Sequence, residues 1–125
     1  MRVIDSSIWV EWLDDGALAA RLEPELSELD TLIVPTMVQL EVTKWLLREI
    51  GVDAANSFLA LTRQCRVAPL DTATAAAAAV LSGHHKLATA DAIVYATARQ
   101  AEADLLTCDA HFEGLEKVVY LPKGG

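Results

Sequence analysis

Short apolar runs alternate with longer helical patterns along almost the whole chain, and this alternation restricts the fold more than any other feature. Arg2–Asp5, Leu32–Val34, Arg66–Ala68, Leu105–Thr107 and Val118–Leu121 read as strands. Helical stretches separate the first four of them. The pattern predicts one α/β unit: a mostly parallel central sheet of four to five strands with helices on both faces. A chain of 125 residues suits a single domain over 1–125, and it has no internal repeat or linker. Hydrophobic residues make up 53% of it, enough for a core, and no long polar tract argues for disorder.

The helical segments carry their own punctuation. Ser6 or Ser7 is placed to cap a first helix, with Ile8, Trp9, Trp12 and Leu13 on one face and Glu11, Asp14 and Asp15 on the solvated one. Gly16 ends it. A second helix is predicted over Ala17–Leu29, shifted or interrupted by Pro24. Thr36 and Gln39 match a capping box for a helix that runs to Ile50 and stops at Gly51. Val52–Gln64 continues as another helix. Asp71 or Thr72 caps an alanine-rich helix ending near Ser82–Gly83, which leaves His84 and His85 in a loop beside Lys86. Thr89 opens a helix to about Ala103, and a short turn holds His111 and Phe112. The three tryptophans, Trp9, Trp12 and Trp45, are expected in the core.

Composition narrows the surroundings. The longest small-residue run, Ala73–Leu81, is far shorter than the roughly 20 residues a membrane helix needs. Asp5, Glu11, Asp14 and Asp15 do not fit a signal peptide, so a cytoplasmic protein without membrane attachment is expected. Cys65 and Cys108 share no metal-ligand spacing and read as buried thiols. The net charge of −8 excludes a generic polyanion binder. The charge is unevenly spread, however. Residues 44–99 hold six bases (Lys44, Arg48, Arg63, Arg66, Lys86, Arg99) against four acids (Glu49, Asp53, Asp71, Asp91). A basic working face is therefore compatible with an acidic whole, and Arg48, Arg63, Arg66, Lys86 and Arg99 are candidates for phosphate contact. The acidic stretch from Glu11 to Asp30 reads as a solvated face.

Four carboxylates stand out by position. Asp5 and Asp109 each follow an apolar strand, and in open parallel sheets the functional crevice lies beyond the strands' carboxyl ends. Both would open into one crevice if their strands are neighbours; capping or turn formation is the competing account for either alone. Glu41 lies within a turn of Met37, Val38 and Trp45, on a stripe where a carboxylate needs a partner. That partner is either a cation or an arginine from another helix. Asp91 occupies a first helical turn, favoured by the helix dipole, and also heads the apolar face of Val94, Tyr95 and Ala98. Two carboxylates about 4 Å apart repel by roughly 4 kcal/mol at an effective dielectric of 20, so four together require protons or cations. Oxygen donors without Cys or an accompanying His suit Mg²⁺ or Mn²⁺.

Four segments carry a family resemblance: D-S-S after the first strand, T-M-V-Q-L-E-V, L-A-T-A-D-A-I-V-Y-A-T-A, and T-C-D-A-H-F. In this order and spacing they resemble the PIN-domain nucleases, most closely the VapC-type toxins of toxin–antitoxin pairs. The resemblance covers essentially the whole chain, and T-A-D-A-I-x-x-A-T-A is its strongest part. It implies that Asp5, Glu41, Asp91 and Asp109 form an acidic quartet holding one or two Mg²⁺ or Mn²⁺ ions. Ser7 and Thr107 match the small hydroxyl positions that support the first and last carboxylates. The implied activity is endoribonuclease hydrolysis of RNA phosphodiesters by water that the metal activates, leaving 5′-phosphate and 3′-hydroxyl ends. The implied partners are an RNA substrate, a cognate antitoxin protein and a second copy in a homodimer. This chain has His111 where many relatives carry a further acid, which bears on a second metal position.

Other readings compete on the residues themselves. A Mg²⁺-binding α/β signalling module needs a phosphoacceptor Asp ending a middle strand, usually with a Lys opposite. Val34 and Ala68 end the middle strands, which counts against this reading. A phosphatase using Asp5 as nucleophile wants a second Asp two residues on, where Ser7 stands. A degenerate, binding-only PIN fold would be indicated by loss of a quartet residue, and all four are present. Adjacent His84 and His85 diverge too far to form a metal pair and are expected to meet phosphate or solvent. His111 reads as a surface turn residue, with a proton donor near Asp109 as the competing account.

Overall fold

Leu32–Pro35 is buried at every position, as a strand covered on both faces requires. In a computed structural model, which describes residues 1–123, it is β2 of a five-stranded sheet. The other strands are β1 (Arg2–Ile4), β3 (Arg66–Ala68), β4 (Asp104–Thr107) and β5 (Val118–Tyr120). Their spatial order is β3-β2-β1-β4-β5 and every pairing is parallel. Between β1 and β2 lie α1 (Ser6–Leu13) and α2 (Ala19–Leu22); α3 (Thr36–Glu49) and α4 (Val52–Thr62) lead to β3. Next, α5 (Thr72–His85) and α6 (Thr89–Gln100) cross to β4, and a 3₁₀ turn at Ala110–Phe112 leads to β5.

The strand order has a direct consequence for function. From β1 the chain winds outward to β2 and β3, then returns past β1 to lay down β4 and β5. With right-handed crossovers, α1–α4 cover one face and α5–α6 the other. The winding direction reverses between β1 and β4, and the crevice beyond their carboxyl ends is where an α/β sheet opens to ligands. Register pairs Ile4 with Leu106, so Asp5, just past β1, lies level with Thr107, the last residue of β4. The strands that come in the middle of the sequence are thus not the middle of the sheet. Asp5, rather than Val34 or Ala68, follows the central strand.

The core forms around the fully buried Trp9, which meets Phe58 edge-on at 5.5 Å and Trp12 at 6.1 Å between ring centroids. Trp12 and Trp45 are only partly buried, at the margin of this core. Cys65 and Cys108 are buried free thiols, and burial raises both to a pKa of about 11. Among the described residues no helix is long and apolar enough to cross a membrane.

Several local expectations are corrected. Neither Ser6 nor Ser7 is the N-cap of α1; Asp5 occupies that position in extended conformation and its side chain caps no helical N–H. The Thr36–Gln39 capping box is not made. Thr36 Oγ1 accepts from the Leu70 N–H instead, and Gln39 Nε2 donates to Thr62 Oγ1. The helix expected over Ala17–Leu29 is reduced to α2 followed by 3₁₀ turns at Pro24–Leu26 and Leu29–Thr31, because Pro24 supplies no N–H to continue it. His84 and His85 belong to the last turn of α5, which ends one residue later with Lys86 in the left-handed region. The His85 ring meets Tyr95 edge-on at 5.8 Å.

Glu11 is the largest departure. It is buried, not solvated, and its Oε1 accepts the Leu18 N–H at 3.1 Å. Its carboxylate occupies the space a Cβ on residue 16 would fill, which gives Gly16 its reason for being glycine. The left-handed residue that ends α1 is Asp15, at φ 51°.

Candidate metal centre

Asp5 lies in the reversal crevice, one residue beyond the end of β1, and is 5% exposed. Its Oδ2 accepts from Ser7 Oγ at 2.7 Å and from Thr107 Oγ1 at 2.8 Å. Both hydroxyls take further bonds from the backbone after β4: the Cys108 N–H donates to Ser7 Oγ, and the Asp109 N–H to Thr107 Oγ1, each at 2.9 Å. One carboxylate oxygen thereby ties β1, α1 and β4 together, while Oδ1 stays outside the clamp. Burial pushes the Asp5 carboxyl above the usual range. The hydroxyl bonds from Ser7 and Thr107 oppose that rise, and the Asp109 charge adds to it.

Asp91, in the first turn of α6, is half-buried. Its carboxyl is pushed up to about 6, chiefly by desolvation, then by the charges of Asp109, Asp5 and Glu41, with His111 acting in the opposite direction. The other three acids therefore all lie within electrostatic reach of Asp91. Asp109 accepts the His111 N–H at 2.9 Å, which folds the 3₁₀ turn so that the His111 ring comes back over the carboxylates. Glu41, half-buried on α3, accepts from Ser6 Oγ at 2.8 Å. Ser6 is a site contact that helix capping alone did not reveal; the only trace in the sequence is its place in D-S-S.

The decisive feature is what these acids lack. Among the described residues no Lys or Arg forms an ion pair with Asp5, Glu41, Asp91 or Asp109. The arginine partner considered for Glu41 is not made. Arg48 binds Glu49 and Arg99 binds Glu116, whereas Arg2 pairs with Asp104 and Glu25 at the opposite end of the sheet. Among the described residues the one basic side chain beside them is His111, with Nδ1 3.2 Å from Asp109 and 3.7 Å from Asp91. A nest of carboxylates without basic partners is tolerable with protons or metal cations between them. Ligand atoms of Asp91, Asp109 and His111 lie within 4.8 Å of one another, a spacing one ion can bridge. The donors, hard oxygens with one imidazole, fit Mg²⁺ or Mn²⁺.

The Thr107 clamp is open to test. Thr107→Val preserves shape at a position with no solvent exposure, but leaves Asp5 Oδ2 and the Asp109 N–H each one partner short. A loss of about 1–3 kcal/mol is expected in urea denaturation. An unchanged midpoint would show that the hydroxyl supports neither group.

Fold and centre together define a parallel α/β protein with an acidic site at the reversal of its sheet. The chain belongs to the PIN domain family, whose model matches residues 2–118. No curated protein matches it by sequence. Among solved structures, it is similar to a toxin–antitoxin complex from Klebsiella pneumoniae (TM-score 0.80, 20% identity, 95% of this chain and 96% of that one). It is also similar to VapC20 of Mycobacterium tuberculosis, described as a sarcin–ricin loop cleaving toxin (0.77, 20%, 98% and 99%). A third is FitAcB from Neisseria gonorrhoeae (0.75, 20%, 98% of each chain). At such identities the shared property is the fold.

Proposed function

We propose that this chain is a metal-dependent endoribonuclease, the toxin component of a toxin–antitoxin pair. The observation that carries the reading is a set of carboxylates without Lys or Arg partners at the sheet reversal of a PIN domain, with Asp91 and Asp109 close enough to share an ion and Asp5 and Glu41 both acting on the Asp91 charge. In this reading Asp5, Glu41, Asp91 and Asp109 hold one or two Mg²⁺ or Mn²⁺ ions. A divalent ion so held activates water and offsets charge on the scissile phosphoryl group. Ser7 and Thr107 fix the Asp5 carboxylate, and Ser6 orients Glu41 from the same helical turn. Asp91 and Glu41 are half-buried, so neither is sealed from an approaching RNA backbone.

The toxin assignment draws on the nature of the similar structures, a toxin–antitoxin complex and a sarcin–ricin loop cleaving toxin among them. A homodimer restrained by a small antitoxin protein is part of this proposal. The exposed Leu40, Leu47, Ile50 and Val52 leave apolar surface for such contacts. The signalling alternative is weakened by a different observation from the one the sequence offered. Asp5 does follow the central strand, but no Lys pairs with it.

The test is incubation of the purified chain with total cellular RNA in Mg²⁺, Mn²⁺ or EDTA, with the new ends mapped. Discrete cuts bearing 5′-phosphates, absent in EDTA, are expected. Intact RNA with both metals, from protein shown to be folded and free of antitoxin, would overturn the nuclease assignment.

A further inference from the structure

Resting on the metal-centre reading above, we propose that His111 is a nitrogen ligand to a divalent ion held by Asp91 and Asp109, and that it tilts the site from Mg²⁺ towards Mn²⁺. The ring is placed by its own backbone: the His111 N–H donates to Asp109 Oδ1, and the neighbouring Phe112 is fully buried against Tyr95. This anchoring fixes the turn and brings Nδ1 to the carboxylates, at 3.2 Å from Asp109 and 3.7 Å from Asp91. The side chain is 77% exposed, so the packing of the core does not demand an imidazole here. Ligand atoms from the three residues already lie within 4.8 Å of one another.

Donor chemistry then sets the preference. Mg²⁺ takes an almost purely oxygen shell and dehydrates reluctantly. Imidazole nitrogen favours ions further along the first transition row, and Mn²⁺ accepts both donor types. Replacing one oxygen donor by Nδ1 therefore costs Mg²⁺ binding more than Mn²⁺ binding.

Isothermal titration of the full chain with MgCl₂ and with MnCl₂ at fixed pH measures this directly, without any RNA. The wild type is expected to bind Mn²⁺ the more tightly. In His111→Ala the Mn²⁺:Mg²⁺ affinity ratio should fall by about tenfold, mostly through weaker Mn²⁺ binding. His111→Asp should bind both ions and favour Mn²⁺ less than the wild type does. An unchanged ratio in His111→Ala overturns the proposal while leaving the acidic metal centre intact. Equal tightening of both ions in that variant also overturns it, because His111 would then be a cationic stand-in that metals displace. Failure of both ions to bind the wild type overturns the metal-centre reading itself.

Discussion

Asp5→Asn is expected to abolish metal-dependent RNA cleavage, to below about one hundredth of the wild-type rate, while leaving the fold intact. The hydrogen bonds explain why these effects separate. Ser7 and Thr107 both donate to Oδ2, so an asparagine presenting its carbonyl oxygen there keeps both bonds. What it loses is the negative charge, and with it the proposed ligand for the ion. In EDTA the variant should melt higher than the wild type by a few degrees, since one buried charge facing Asp109 has gone. In saturating Mg²⁺ or Mn²⁺ the order should reverse. A folded Asp5→Asn protein that still cuts RNA at the wild-type rate would remove Asp5 from the site.

The second large effect is a change in how stability depends on pH when metal is present. Asp91 has its carboxyl raised from 3.8 to about 6 in the folded protein, so between these values the native state holds more protons than the unfolded chain. Its contribution is fully present below pH 3.8 and is lost as the pH rises through about 6. Discounted for partial exposure, the loss is on the order of 1–2 kcal/mol. The groove of acids thus weakens the metal-free protein at neutral pH. In the proposed reading divalent ions bind the ionised carboxylates, so their stabilisation is expected to grow over the same interval. At 100 times the dissociation constant it reaches roughly 2.7 kcal/mol, or about 10 °C in a chain of this size. Melting curves from pH 4 to 7, in EDTA and in Mn²⁺, should therefore diverge as the pH rises. Asp91→Asn separates this contribution from that of Asp71, whose lowered pKa acts in the opposite direction. Parallel wild-type curves with and without metal would mean that the carboxylates are structural only.

Much of this was legible along the chain because it is written in short-range patterns. The strand–helix alternation depends on apolar periodicity within a few residues, and all five strands fall where it places them to within a residue or so. The end of α3 before Gly51 and the Asp71 cap on α5 are equally local. Where local signals competed with tertiary ones, the tertiary ones won. Thr36 and Gln39 satisfy the capping pattern, yet each finds a partner on a distant segment. Glu11 has the spacing of a solvated residue, but the turn after α1 folds back and supplies it with the Leu18 N–H.

The candidate centre divides in the same way. Sequence alone determined the fold class and the kind of chemistry available, because the strands and their following acids are chemical facts of the chain. It carried no information about strand order, since pairing is settled by which crossovers pack well, across separations of about a hundred residues. Only the tertiary structure decided that β1 and β4 are neighbours, and hence that Asp5 shares a clamp with Thr107. It alone decided that Glu41 meets a serine instead of an arginine, and that an exposed histidine turns inward over Asp91 and Asp109. Charge and hydrogen bonding act over a few ångströms in space, and a linear sequence does not record which distant residues will be brought within that distance.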